Sequence, residues 1–191
     1  MDIAGGRLVF ILASRDVQTA AELAAASDLS LAETVSRLQE LLAHGFVVAS
    51  DTAGEPVVYR LAPKSEPLTA LDPQQRILVV DDSAAILEVV AAVLEDEGYG
   101  VLAAGTQAEA TALLEQVAFD LVITDGFSTE PAGALVGSAD VLQAAGATPV
   151  ALFSAHRIEL AAAQAAGFRD LIAKPFDVAT LAQQVRVLLG S

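Results

Sequence analysis

The chain has no cysteine and only two histidines, His44 and His156, in 191 residues. Without thiols it can build neither a disulfide framework nor a thiolate metal centre, and two histidines argue against an imidazole-based zinc site. A reducing cytoplasm suits such a composition. Cations are scarce as well: 10 Lys and Arg stand against 25 Asp and Glu, a formal charge of -15 with pI near 4.2. Broad affinity for nucleic acid needs clustered Lys and Arg to neutralise phosphates, so that class is disfavoured. The apolar run near the N-terminus, LVFILA (8–13), is too short for a signal-peptide core with its cleavage site and far too short to span a bilayer. A soluble, cytoplasmic protein with no membrane partner is expected.

What is present is apolar. Hydrophobic residues make up 54% of the sequence and charged ones 18%, which excludes general disorder. At roughly 100 to 200 residues per domain, the length admits one large domain or two small ones. The break falls in APKSEPLTALDPQQ (62–75), where Pro63, Pro67 and Pro73 interrupt any helix or strand. We therefore divide the chain into a first domain over 1–62, a linker over 63–75 and a second domain over 76–191. Neither half is basic: five basic against ten acidic residues up to Asp72 leave -5, and five against fifteen from Arg76 onward leave -10.

The first domain reads as three helices and a hairpin. RLVFILAS (7–14) is a short apolar helix, and TAAELAAAS (19–27) opens with Thr19 and Glu22 at capping-box spacing. A second box, Ser30 and Glu33, opens LAETVSRLQELLAHG, in which Leu31, Val35, Leu38, Leu41 and Leu42 share one face and Gly45 is placed to close the helix. FVVAS and PVVYRL, joined by DTAGE, form the hairpin. This order resembles the winged helix-turn-helix domains of arsenic-repressor-like and MarR-like regulators. That resemblance implies a third helix in the major groove and a wing on the DNA backbone, with Ser30, Glu33, Thr34, Ser36 and Arg37 as groove-facing candidates and Arg60 on the wing. Glu33 and Glu40 offset Arg37, and the wing tip DTAGE offers acids where phosphate contacts need cations. Two roles stay open for this domain: sequence-specific DNA binding, or dimerisation and protein docking.

In the second domain helices and strands alternate. Apolar runs ILVV (77–80), VLAA (101–104), LVIT (121–124), VALF (150–153) and LIA (171–173) are separated by helical segments such as SAAILEVVAAVLEDEG and TQAEATALLEQV, the latter opening with Thr106 and Glu109. Such alternation predicts an α/β flavodoxin-like (βα)5 fold, a parallel sheet of order 2-1-3-4-5 covered on both faces. Ligands then bind beyond the carboxyl ends of the strands, where Asp81, Asp82, Asp125, Ser154 and Lys174 all fall. Crowded carboxylates repel one another strongly where the dielectric is low, so a cation belongs among them. A hard divalent ion with oxygen ligands, Mg2+, fits that requirement.

The conjunction of VVDDS, ITD, FSA and AKPF, each at a strand end, makes residues 76–191 similar to response-regulator receiver domains over essentially their whole length. The resemblance implies that Asp125 accepts a phosphoryl group from a sensor histidine kinase. It further implies that Asp81, Asp82, Asp125 and the carbonyl of Phe127 hold Mg2+, that Lys174 and Ser154 contact the phosphoryl oxygens, and that the Lys174–Pro175 bond is cis. Such a protein turns over no separate substrate: its chemistry is phosphotransfer to itself and loss of its own phosphate. An aspartyl-phosphate hydrolase would want a D-x-D arrangement after the first strand, where this sequence has DD.

Several residues depart from the family pattern. The aromatic switch position three before the lysine is Leu171, so ring rotation cannot report phosphorylation, and a homodimer becomes an output route. GFSTEPAG after the acceptor has its proline, Pro131, late, which predicts a reshaped loop. Phe127 stands where a small polar residue often assists the hydrolytic water, which predicts slow loss of phosphate. His156 is expected to start the helix over RIELAAAQAAG. The expected function is a two-component response regulator controlling transcription through its first domain, with a signalling adaptor whose first domain binds protein as the alternative.

Overall fold

The computed structural model describes residues 3–15, 17–62 and 75–190. The N-terminal unit runs α1 (Ile3–Arg15), β1 (Gln18–Thr19), α2 (Ala20–Ser27), α3 (Leu31–Ala43), β2 (Val47–Ser50) and β3 (Val58–Leu61). Both predicted capping boxes form. The Thr19 hydroxyl accepts from the Glu22 amide at 3.3 Å while the Glu22 carboxylate accepts from the Thr19 amide at 2.8 Å. Ser30 and Glu33 repeat the exchange at 3.2 and 3.0 Å, so two otherwise orphaned N–H groups are satisfied at each helix start. Beyond α3, Gly45 takes a φ of 66°, a left-handed conformation that a side chain would resist. Strand β3 is central in an antiparallel sheet of order β1-β3-β2, with Val47 opposite Leu61 and Ser50 opposite Val58.

Two residues of α3 depart from the expected pattern. Leu38 and Leu41 of α3 are buried, but Leu31 is 53% exposed and Thr34 is buried at 0%. Leu31 is the first residue after the N-cap, and helical side chains lean toward the N-terminus, so Leu31 leans off the end of the core. The predicted linker, with its three prolines, lies outside the described residues except for Gln75.

The C-terminal unit comprises β4 (Arg76–Val80), α4 (Ala84–Asp96), β5 (Gly100–Ala104), α5 (Gln107–Gln116), β6 (Leu121–Asp125), α6 (Pro131–Val136), α7 (Ala139–Ala145), β7 (Val150–Ser154), α8 (Leu160–Ala165), β8 (Asp170–Ala173) and α9 (Val178–Leu189). Its five strands are parallel in the order β5-β4-β6-β7-β8, the expected 2-1-3-4-5. Alternate residues serve opposite layers. Ile77 and Val79 pack with Leu87, Val90 and Leu94 of α4 and Leu181 and Val185 of α9. Leu78 and Val80 belong to the other layer, with Leu113 of α5, Val141 of α7 and Ala163 of α8. Burial on both faces is why the strands read as continuous apolar runs. The β6–β7 crossover holds two short helices rather than one, and α8 is shorter than the 157–167 span predicted for it. Thr106 caps α5, but the Glu109 carboxylate accepts from Gly105 instead of completing the box.

The two units share one core. Leu8, Leu12, Leu38, Leu41 and Phe46 belong to the same buried cluster as Leu102, Leu113 and Phe119, and the Phe46 and Phe119 rings lie 6.2 Å apart. Helix α1 lies against the edge strand β5 and against α5. A Cβ on Gly6 would stand 2.2 Å from the Ala103 carbonyl oxygen, so this approach requires glycine. The helix thereby covers a strand edge that would otherwise be open to another chain. Arg76, at the start of β4, donates to the Gly45 carbonyl at 3.0 Å and lies 5.4 Å over the Phe46 ring. No helix among the described residues is long and apolar enough to cross a membrane.

Candidate functional site

The parallel register brings the predicted residues to the carboxyl ends of their strands. Asp81 and Asp82 follow β4, Asp125 ends β6, Ser154 ends β7 and Lys174 follows β8. Lys174 Nζ lies 2.5 Å from Asp81 Oδ2 and 2.6 Å from Asp125 Oδ1, and 4.5 Å from the centre of the Phe153 ring. The ammonium is thus the cation between two of the three carboxylates. Its place is fixed by the backbone: the Lys174 amide donates to the Ser154 carbonyl at 2.8 Å, and the Lys174–Pro175 bond is cis.

Each carboxylate has a distinct environment. Asp81 is 1% exposed and uses its other oxygen, Oδ1, to accept from the Ser83 amide at 2.9 Å. Asp82 is exposed and shares the wall of an open cleft of about 510 Å3 with Asp125, Phe127, Ser128 and Thr129. Asp125 accepts at Oδ2 from the Phe127 amide, 2.6 Å away, and Phe127 takes a φ of 47°, unusual for a bulky residue. Among the described residues no three His, Asp or Glu side chains converge as a ready-made metal cage. Of the expected ligand set, Asp81 and Asp125 are both engaged, each by Lys174 and by a backbone amide two residues on, while Asp82 is exposed. The two carboxylates on the cleft wall still offer the hard oxygen donors that Mg2+ prefers, so the residues fit that ion.

Around this centre the loops are pinned. Ser154 is buried, and its Oγ accepts from the His156 amide at 3.1 Å. His156 does not start α8, which begins at Leu160; its Nε2 lies 3.0 Å from the Ser128 carbonyl, bridging two loops at the mouth of the site. Leu171 is half-buried in β8, paired with Leu152. Sequence alone did not single out Ser138, whose buried hydroxyl donates to the Asp125 carbonyl at 2.6 Å. A serine in a small-residue segment carries no signal until the fold places it.

The nucleic-acid candidates are less coherent. Ser30 and Glu33 are exposed but engaged with each other in the cap, and both bonds hold the Glu33 carboxyl below its ordinary value. Ser36 is exposed. Arg37 is ion-paired with Glu40 at 2.9 Å, and Arg60 is exposed on β3, donating to the Leu61 carbonyl at 3.3 Å. Thr34 is wrongly placed in that set: it faces the core, which removes it from any groove.

Comparison with known proteins agrees with this geometry. The response regulator receiver domain pattern matches residues 77–186. The alginate biosynthesis transcriptional regulatory protein AlgB of Pseudomonas putida is 49% identical over 57 residues, 30% of this chain and 13% of that protein. The DNA-binding response regulator MtrA of Mycolicibacterium paratuberculosis is 30% identical over 118 residues, 61% of this chain and 52% of that protein. The chain thus spans about half the length of one curated relative and far less of the other. A response regulator from Thermotoga maritima superposes with a TM-score of 0.54 at 28% identity, covering 62% of this chain and 99% of that one. With the strand order, the strand-end acids and the bridging lysine all in place, the chain belongs to the response regulator receiver domain family.

Proposed function

We propose that the protein is a two-component response regulator whose Asp125 accepts a phosphoryl group from the phosphohistidine of a sensor histidine kinase. The observation that carries this reading is the Lys174 ammonium, held within 2.6 Å of Asp125 at the one end of the sheet where the acidic residues gather. The phosphoryl group leaves the imidazole nitrogen, a P–O bond forms at the Asp125 carboxylate, and the freed imidazole takes a proton from solvent. Such a transfer asks the protein chiefly for positioning and neutralisation of charge.

Each residue then has a role. Asp82, Asp125 and the Phe127 carbonyl, with Asp81 in support, would hold Mg2+, which supplies positive charge to the transferring oxygens. Lys174 moves from a carboxylate oxygen to a phosphoryl oxygen, and Ser154 donates its hydroxyl to another. Phe127 brings an apolar ring to its place on the cleft wall and no polar group of its own to orient a hydrolytic water, so slow loss of the acyl phosphate is expected. No separate substrate is turned over. The test is incubation of the full chain with Mg2+ and acetyl phosphate, followed by intact mass. The wild type is expected to gain one phosphoryl group and Asp125→Asn none; equal uptake by both would reject the assignment.

For output, the N-terminal unit has the element order of a winged helix, with α3 preceding the β2–β3 hairpin. Control of transcription through that unit is one reading. A specific observation favours the second, an adaptor that docks protein or pairs with its own copy: the outer face of α3 presents Glu33 and an Arg37 neutralised by Glu40, and the hairpin tip exposes Asp51 and Glu55. Phosphate anchoring needs cations that this face does not offer. With Leu171 in place of a rotating ring, pairing of two copies is the route we favour for reporting phosphorylation.

A further inference from the structure

We infer that Ser138 is a positioning residue for the phosphoacceptor, setting the orientation of the Asp125 carboxylate through the main chain that follows it; this rests on Asp125 being the acceptor. Strand β6 ends at Asp125, and there the chain leaves the sheet. The Asp125 carbonyl accepts from Ser138 Oγ at 2.6 Å and from Thr124 Oγ1 at 3.1 Å, and both serine and threonine are 0% exposed. Fixing that oxygen fixes the plane of the peptide between Asp125 and Gly126. One residue further on, the Phe127 amide donates back to Asp125 Oδ2 at 2.6 Å. Lys174 holds Oδ1, so the carboxylate is gripped at both oxygens.

The packing of α6 shows that this arrangement is built. A Cβ on Gly126 would lie 2.5 Å from the Ala134 Cβ, and one on Gly137 would lie 2.0 Å from the Gly126 carbonyl oxygen. A Cβ on Gly133 would meet Ser128 Oγ at 2.1 Å. The helix therefore rests directly on the acceptor loop, and Ser138 is delivered to the Asp125 carbonyl at the end of that contact. The same contacts hold Phe127 at its positive φ, a conformation that persists only where the surroundings over-determine it. The late proline of this segment, Pro131, has its explanation here: it opens α6, the helix that rests on the acceptor loop and leads through Gly137 to Ser138 at the start of α7.

The experiment compares full-length wild type, Ser138→Ala and Ser138→Thr at equal folded fraction. Phosphoryl uptake from acetyl phosphate with Mg2+ is timed by intact mass, and the Phe127 amide proton is followed by NMR without metal or donor. Ser138→Ala is expected to slow uptake by between about tenfold and a hundredfold and to move the Phe127 amide upfield as its bond to Oδ2 lengthens, with Ser138→Thr restoring both. Uptake at the wild-type rate, or an unmoved Phe127 amide, overturns the inference. Should Ser138→Ala fail to fold, Ser138→Cys, which keeps a weak donor, carries the same expectation in milder form. If the wild type takes up no phosphoryl group, or Asp125→Asn takes it up equally, the acceptor assignment fails instead, and the Phe127 amide alone decides whether the clamp exists.

Discussion

Arg76 donates its Nη2 hydrogen to the carbonyl of Gly45 at 3.0 Å, so the first strand of the receiver grips the residue that closes α3. Gly45 lies just beyond the α3 C-cap, His44, so the bond ties the chain leaving that helix to the start of β4. Burial pushes the Arg76 pKa down, but an arginine stays charged throughout the working range, and Asp120 beside it opposes the shift. With Gly6 against Ala103 and Phe46 against Phe119, the N-terminal unit is part of the receiver's core. If Asp125 is phosphorylated as proposed, the signal has a packed seam to cross rather than a tethered module to release.

Arg76→Ala is accordingly expected to destabilise the whole chain by about 2 kcal/mol, the usual scale for a part-buried hydrogen bond to a charged group. Urea unfolding followed by far-ultraviolet circular dichroism and by tyrosine fluorescence should give one shared transition in wild type and variant. Two separate transitions would show that the halves fold independently and that the seam does not couple them.

Lys174 separates two carboxylates, one of them 1% exposed. Lys174→Met leaves Asp81 buried without its counter-ion, and removing one partner of such a pair costs about 3 kcal/mol. Added Mg2+ should raise the urea midpoint of both proteins, and by more in the variant, where Asp81 and Asp125 have lost the ammonium between them. Equal urea midpoints for the two proteins, with or without Mg2+, would refute this account.

The receiver was legible because its signals are redundant: continuous apolar strands, acids at their ends and a lysine before a proline all require the same sheet order. The cleft chemistry was less so. Asp81 and Asp82 look equivalent in VVDDS, yet one is buried against Lys174 and the other is exposed on the cleft, a difference set by which way β4 ends. On α3 the stripe of Val35, Leu38, Leu41 and Leu42 faces inward as its spacing predicts, but Leu31 is exposed by its place at the helix start, and Thr34, one turn before Leu38, is buried despite its hydroxyl. Ser138 was invisible because its role depends on glycine contacts thirteen or fewer residues away that only packing reveals.

The two caps give the N-terminal unit an acid limit. Hydrogen bonds from Thr19 lower the Glu22 pKa from its ordinary 4.5, and those from Ser30 lower that of Glu33. A carboxyl with a depressed folded pKa contributes stability above its unfolded value, and that contribution is lost as pH falls through the folded value. Carboxyl NMR titration should place both groups below 4.5. Amide exchange at the starts of α2 and α3 should rise over the same interval. Titration of either group at or above the ordinary value would mean that its cap is absent in solution.

Thr34 separates structure from recognition on α3. Its Oγ1 is buried with no hydrogen-bond partner, a group whose desolvation goes uncompensated. Valine has nearly the same shape without the hydroxyl, so Thr34→Val is expected to stabilise the protein by about 1 kcal/mol, read as a rise in the urea midpoint at unchanged slope. Because the side chain is 0% exposed, the same variant should leave any affinity of α3 for DNA or protein unaltered, whereas Ser36→Arg, on the exposed face, should change it. A Thr34→Val protein that is less stable, or that loses a partner which Ser36→Arg retains, would return Thr34 to the surface and shift the phase of the whole helix.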